Sequence, residues 1–220
     1  MMNTLVSWSG GKDSCYAAML AKKEGANLSV LLNVMNETGQ RSRSHGLPAS
    51  LLKKQASAAG IPIRLIQSSW QDYEQNFTNA LKELKEGYLL QQAAFGDIDL
   101  QAHRDWEEMV CARADLNTVL PLWQQDRKQL LQDMLSAGIK TMIVSCQEKM
   151  GPEFLGRILT ADIIPELESL DVDPCGENGE FHTAVIDCPL FKNAIDVPFT
   201  GKDLHAGYWF LRWENEEVTN

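Results

Sequence analysis

Thr4-Leu5-Val6-Ser7-Trp8-Ser9-Gly10-Gly11-Lys12-Asp13-Ser14 is the stretch on which the fold turns. Thr4–Trp8 is a short apolar run that reads as a buried strand. Ser14–Glu24 follows as a helix, with apolar residues at Ala17, Ala18, Leu20 and Ala21 and with Gly25 in the C-cap position. Between them, Ser9–Ser14 (SGGKDS) forms a turn suited to an anion. Gly10 and Gly11 let the backbone bend sharply and approach a ligand closely. Successive N–H groups and the start of the helix direct positive ends at the same point. Ser9 and Ser14 add hydroxyls and Lys12 adds a cation. Asp13 either caps the helix or helps to hold a divalent cation. The turn is not a Walker A loop, because Lys12 is followed by Asp13 rather than Ser or Thr. A plain strand–helix turn is the competing reading, and the hexapeptide carries more phosphate-binding features than such a turn needs.

Outward from this turn, strand-like and helix-like segments alternate. Leu28–Val34, Ile61–Ile66, Ala93–Phe95 and Thr118–Leu122 read as strands. Pro48–Ala59, Asp72–Glu86 closed by Gly87, and Gln101–Ala114 read as helices. Leu28–Val34 is apolar on both faces, as a strand covered on both sides must be. The alternation predicts an α/β fold with a parallel sheet, helices on both faces and right-handed crossovers. Ligands of such sheets bind beyond the carboxyl ends of the strands. A smaller α+β lobe is expected after Gln124. It holds a helix at Asp126–Ala137, a strand at Thr141–Cys146 and short helices at Glu153–Leu159 and Asp162–Leu170. A polar Gly-rich stretch, Asp171–Thr183, and β-like runs at Ala184–Asp187 and Tyr208–Trp213 complete it. The expected division is residues 1–124 for the loop-bearing domain and 125–220 for the lobe, with no flexible linker. The acidic tail Glu214–Asn220 is expected to fray.

Composition narrows the function. Twenty basic against thirty acidic residues in 220 give a net charge of −10, which argues against a broad nucleic-acid surface. Five cysteines occur without a C-x-x-C pair, which disfavours a disulfide framework, a structural zinc site and sulfur transfer. No signal peptide and no apolar run of membrane-spanning length is evident, so a cytoplasmic protein is expected. Most of the six scattered tryptophans read as core or lobe-interface residues.

Cys175-Gly176-Glu177-Asn178-Gly179-Glu180-Phe181-His182-Thr183 carries the second cluster of chemistry. Asn178-Gly179 signals a tight turn. The strand after it sets Phe181, Thr183 and Val185 on one face, and His182, Ala184 and Ile186 on the other. Glu177, Glu180 and His182 then either reach an acceptor site, where one deprotonates an amine or orients a carboxylate, or form a polar hairpin with a structural histidine. Asp97, at a strand end, is placed for an acceptor or Mg²⁺, with a helix N-cap as the alternative. Arg41, Arg43 and His45 form the best basic cluster near the expected ligand, with a solvated loop as the alternative. Arg157 is a further candidate phosphate contact. Cys15, at the helix start, reads as a packing residue.

SGGKDS resembles the PP-loop of the N-type ATP pyrophosphatases. That resemblance implies a Rossmannoid fold similar to the adenine-nucleotide α-hydrolases and cleavage of ATP between its α and β phosphates. CGENGEFHT is similar to the GE-x-GE-aromatic-x-T signature of diphthine–ammonia ligase-like proteins. Gly96-Asp97-Ile98, Pro121-Leu122-Trp123, Leu155-Gly156-Arg157 and Cys188-Pro189-Leu190-Phe191 match the same group, so the resemblance runs from about Ser9 to Phe191. It implies an ATP-dependent, AMP-forming ligase that adenylates a carboxylate and passes it to ammonia or an amine. ATP and Mg²⁺ are the implied cofactors. Ser9, Gly10, Gly11, Lys12, Asp13 and Ser14 would bind nucleotide, and Lys12, Asp13, Glu177, Glu180 and His182 would act in catalysis. His45 and Asp97 would contact substrate. His182 stands where diphthamide-making members usually have Glu, and Asn178 where they have Gly. The sequence is therefore more similar to a bacterial branch, and bacteria lack diphthamide. The acceptor and amine donor stay open, as does homo-oligomerisation. A tRNA-modifying PP-loop enzyme and a non-enzymatic adenine-nucleotide-binding regulator are the alternative readings.

Overall fold

The structure is a computed structural model, and it describes residues 1–214. The expected fraying of the tail beyond Glu214 lies outside the described residues. Five strands build the first sheet: β1 (Asn3–Ser7), β2 (Asn27–Met35), β3 (Ile63–Gln67), β4 (Gln92–Ala94) and β5 (Asn117–Val119). They are all parallel, in the order β3-β2-β1-β4-β5. From β1 the chain winds outward through β2 and β3, then returns to the other side of β1 for β4 and β5. The crevice between the carboxyl ends of β1 and β4 is the point where such sheets hold ligands.

Helices α1 (Lys12–Lys23), α2 (Ala49–Ala59), α3 (Tyr73–Tyr88) and α4 (Gln101–Arg113) connect the strands. Apolar residues on α3 and α4, among them Phe77, Leu81 and Val110, bury one sheet face with Leu5, Leu32 and Phe95. On the other face Ala17, Ala18, Leu52 and Ala56 of α1 and α2 join Val6, Trp8 and Leu31 in a larger core. Glycine ends α2 as its pattern demands, with Gly60 in the left-handed region at φ 67°. The expected stop at Gly87 moves: α3 runs through it, and Leu89 takes the left-handed position instead.

The second sheet is antiparallel, in the order β7-β6-β9-β8, from β6 (Lys140–Gln147), β7 (Phe181–Asp187), β8 (Phe199–His205) and β9 (Tyr208–Trp213). Helices α5 (Arg127–Ser136) and α6 (Ile163–Ser169) accompany it. The Asp126 side chain caps α5 by accepting the Gln129 N–H at 2.9 Å. Two details differ from the sequence expectation. The helix expected at Glu153–Leu159 is only a 3-10 turn at Pro152–Phe154, since Gly151 and Gly156 at φ 89° and 85° bracket it. Strand β8 was not expected; its polar Thr-Gly-Lys-Asp sequence forms an exposed edge that pairs with β9.

The two sheets share a core. Trp8, Leu31 and Leu52 belong to the same buried cluster as Ile143, Phe181 and Trp213. Backbone bonds also cross between them: Val185 donates its N–H to the Gly10 carbonyl at 2.9 Å, so β7 runs directly over the SGGKDS turn.

Candidate active site

A cleft of about 580 Å³ opens at the carboxyl ends of the parallel strands. The SGGKDS turn forms its floor, and the Cys175–Thr183 segment forms the opposite wall. The two stretches singled out in the sequence, more than 160 positions apart, therefore face each other. The contacts are direct. The Lys12 backbone N–H donates to Thr183 Oγ1 at 3.2 Å, and Lys12 Nζ donates to the Cys175 carbonyl at 2.5 Å.

Lys12 is 3% exposed and forms a two-pronged pair with Asp13 at 2.8 Å to each oxygen. Burial disfavours its charge, but Asp13, Cys175 and Glu177 outweigh that penalty and hold its pKa above the ordinary lysine value. It is a fixed cation. Within the turn, Ser9 Oγ and Ser14 Oγ lie 3.0 Å apart, and the Gly11 N–H donates to Ser9 Oγ at 3.3 Å.

Glycine is required at three points around this cradle. Gly10 sits at φ 86°, where a side chain is strained. A Cβ on Gly11 would run into the His45 ring. A Cβ on Gly96, just after β4, would lie 2.7 Å from the Ser14 backbone nitrogen and 2.8 Å from the Asp13 carbonyl carbon. Gly96 thus lets β4 approach the start of α1 and close the crevice.

Gln55 of α2 is fully buried and ties three elements together, a role the sequence reading missed. Its Nε2 donates to the carbonyls of Gly10 and Val185, both at 2.9 Å, and its Oε1 accepts Trp8 Nε1–H at 2.9 Å.

His45 and His182 meet at the cleft with ring centroids 4.8 Å apart and planes tilted by 32°. His45 Nδ1 meets the Thr183 carbonyl at 2.8 Å, so Nδ1 carries the proton and Nε2 keeps its lone pair. Burial, with Lys12 nearby, lowers His45 to about 4; burial, His45 and Lys12 lower His182 to about 3. Both rings are neutral at physiological pH.

Glu177 and Glu180 have opposite surroundings. Glu177 faces the cleft, where burial and the charge of Asp13 push it up to about 8 against the pull of Lys12. Glu180 turns away from the cleft. Its oxygens accept the N–H groups of Asn178 and Asp173 at 3.0 and 3.3 Å and the Asn178 side-chain amide at 3.1 Å. Expected to act in catalysis, it instead staples the Asn178-Gly179 turn.

Asp97 lies in the cleft as expected, 2.6 Å from His103 Nδ1. Arg43 is braced rather than free: it donates to the Ser68 carbonyl at 2.7 Å, pairs with Glu37 at 2.7 Å and covers the Trp70 ring at 4.6 Å. Arg157 pairs with Glu166 at 2.6 Å and does not line the cleft. Arg127, unremarked in the sequence, joins Asp99 to Asp173 with bonds of 2.6 and 2.5 Å and so fastens the loop after β4 to the CGENGEFHT wall. Trp70 is 70% exposed, an exception among tryptophans read mostly as core or lobe-interface residues. Among the described residues no group of three or more His, Cys, Asp and Glu is arranged to hold a metal ion, and no helix is long and apolar enough to cross a membrane.

Fold and cleft together define an α/β protein of the PP-loop type, closed by a second, antiparallel sheet. Comparison with known proteins narrows this. Residues 2–118 match the diphthamide synthase N-terminal domain and residues 126–217 the diphthamide synthase C-terminal domain; the chain belongs to the diphthamide synthase family. The human protein named diphthine–ammonia ligase is 31% identical over 224 residues, which cover 90% of this chain and 84% of that protein. The mouse protein of the same name is 29% identical, with the same coverage of both. A solved structure titled as a predicted subunit of tRNA methyltransferase, from Methanocaldococcus jannaschii, covers 89% of this chain at 19% identity and a TM-score of 0.47, a likeness too slight to bear on activity.

Proposed function

We propose that this chain is an ATP-dependent, AMP-forming ligase that activates an acceptor carboxylate and transfers it to ammonia or an amine. The observation that carries the proposal is the pair of buried Lys12 with Asp13 in a glycine cradle, walled by Glu177 from the loop before β7 and by His182 of β7. The names of the relatives support ammonia as the nitrogen donor.

In this reading ATP lies with its phosphates on Ser9–Ser14 and its adenine near the carboxyl end of β2. The acceptor carboxylate oxygen attacks the α-phosphorus, pyrophosphate leaves, and ammonia then displaces AMP. Lys12 Nζ and the N–H groups of the turn stabilise charge that develops on the departing pyrophosphate. The cradle sets the in-line geometry.

Mg²⁺ fits this arrangement as a companion of the nucleotide. Magnesium at a nucleotide site takes one or two carboxylates and fills its remaining positions with phosphate oxygens and water. Asp13 is the carboxylate at the mouth of the loop that would hold it. When bound, Mg²⁺ supplies charge neutralisation on the leaving group. In this reading Glu177, raised to about 8, takes the proton that the incoming amine loses. Neutral His182 and His45 donate or accept hydrogen bonds without adding positive charge.

The test is pyrophosphate release from ATP over a panel of carboxylate acceptors with ammonium, elongation factor 2 included. Lys12→Ala and Asp13→Ala are expected to lower ATP–pyrophosphate exchange by at least about 100-fold, because each removes a charge acting on the transferring phosphates. Circular dichroism spectra should stay those of the wild type. Wild-type exchange in the Asp13→Ala protein would overturn the assignment.

A further inference from the structure

The cradle is made of backbone that its own sequence leaves loose. Gly10 and Gly11 stand side by side. Glycine accepts positive and negative φ alike, so the peptide between them can turn as a rigid plane. Its orientation matters, because the carbonyl and the N–H of a trans peptide point in opposite directions. With the Gly10 carbonyl turned away from the cleft, the Gly11 N–H faces the ligand. With the peptide reversed, a carbonyl oxygen would face the phosphates and repel them. In the structure the Gly11 N–H meets Ser9 Oγ at 3.3 Å, and Ser9 Oγ lies 3.0 Å from Ser14 Oγ, both serines lining the cleft.

One side chain outside the cleft holds that peptide. Gln55 of α2 is fully buried and does not line the cleft. Its Nε2 donates to the Gly10 carbonyl and to the Val185 carbonyl, both at 2.9 Å. The Val185 N–H donates to the same Gly10 carbonyl at 2.9 Å, so both lone pairs of that oxygen are engaged. The partners fix the chemistry at this position. The two carbonyls only accept, and the Trp8 Nε1–H, which Gln55 Oε1 accepts at 2.9 Å, only donates. A head group that gives two N–H bonds and takes one is a primary amide. The loop is also packed against α2 here: Leu47, Leu52 and Gln55 would all lie within 3.0 Å of a Cβ on Gly10.

We propose that Gln55 is a positioning residue for phosphate binding: it locks the Gly10–Gly11 peptide with its carbonyl on the side of α2 and β7 and its N–H on the side of the phosphates. This rests on the ligase reading, which lays the phosphates of ATP on Ser9–Ser14, and it adds a determinant of that site which touches no ligand. Gln55 moves no proton and makes no covalent bond. It acts through the Gly11 N–H and through the Ser9 hydroxyl which that N–H orients. A donor already aimed needs no ordering when the phosphate arrives, whereas a loose peptide must first be fixed. Because Val185 belongs to β7, the same bridge makes the shape of the loop depend on the seating of the second sheet.

The test is calorimetric titration of the full-length protein with ATP and with inorganic pyrophosphate, which reads the dissociation constant and the number of sites per chain separately. Gln55→Met keeps the length of the side chain and removes the amide. It is expected to raise both dissociation constants at least about tenfold, the loss of one hydrogen bond to a charged group, while the number of sites stays that of the wild type. Damage to the fold alone would do the reverse, lowering the number of sites while the remaining molecules bind normally. Gln55→Glu is the second variant and decides the matter if Gln55→Met does not fold. Its neutral acid keeps one donor for the Gly10 carbonyl and its ionised form keeps none. Its pyrophosphate affinity, divided by that of the wild type, should therefore fall as pH rises from about 6 to about 9. Unchanged dissociation constants in a folded Gln55→Met protein, fewer sites at wild-type affinity, or a Gln55→Glu ratio that does not fall would overturn the proposal and leave the nucleotide reading intact. A wild type that binds neither probe would instead overturn the nucleotide reading on which it rests.

Discussion

Glu107 shows how one side chain can tie stability to proton uptake. Its acid is pushed up to about 10 by burial and by Asp97, against an unfolded value near 4.5. Between those values the folded protein holds a proton that the unfolded chain releases, so this group favours folding at low pH and loses that contribution as pH rises. Glu107→Gln removes the dependence. The melting temperature of the variant is expected to gain on the wild type steadily from about pH 6 to about pH 9, by an amount set by a slope of roughly 1.4 kcal/mol per pH unit at most. A constant difference across that range would show that Glu107 is ionised in the folded state. His45 and His182 act with the opposite sign, because burial depresses both. They are neutral in the fold, and their contribution is present above about 6.5 and lost as pH falls toward about 4 and about 3.

At the scale of elements, the packing of β4 against the start of α1 decides whether the cradle has its shape. Gly96→Ala places a methyl group within 3 Å of the Asp13 and Ser14 backbone, and backbone cannot rotate aside as a flexible side chain would. The expected outcome is a loss of stability of about 1–3 kcal/mol together with weaker ATP binding, read by thermal melting and calorimetric titration. Normal ATP affinity in a stable Gly96→Ala protein would remove the close approach from the account. The elements around this contact were legible in the sequence, because period, caps and turn residues agree there. SGGKDS runs from the loop after β1 into the first turn of α1, and Asn178-Gly179 makes its turn. What stayed hidden were roles created by packing. Nothing local distinguishes Glu177, which faces the cleft, from Glu180, which serves the turn. Gln55 and Glu107 did leave a trace, since each is a polar residue on an apolar helix face: Gln55 with Leu51 and Leu52, Glu107 with Val110 and Cys111. Strand β8 had no apolar alternation to betray it, because it is an exposed edge paired on one side.

For the whole molecule, the question is whether the expected lobes, residues 1–124 and 125–220, behave as two units or one. We propose that they unfold together. The larger buried cluster takes Trp8, Leu31 and Leu52 from the parallel sheet and its helices, and Ile143, Phe181 and Trp213 from the antiparallel one. Gln55 bonds to both Gly10 and Val185, and Lys192 donates its N–H to the Ala58 carbonyl at 2.8 Å. Separating the lobes would expose an apolar face on each and strand the buried Gln55 amide, so neither half is well served alone. The catalytic reading needs the same unity, since Lys12 is held in place by Thr183 and Cys175. Scanning calorimetry is expected to give one transition, with an enthalpy on the order of 150 kcal/mol near 60 °C for a chain of this length. The van't Hoff enthalpy from the same trace should equal that value. Two independent lobes would instead give a van't Hoff enthalpy near half the calorimetric one, and ATP would then raise only one of two melting steps. In a single unit it raises the whole transition, because a ligand bound at the seam stabilises everything that must come apart to release it.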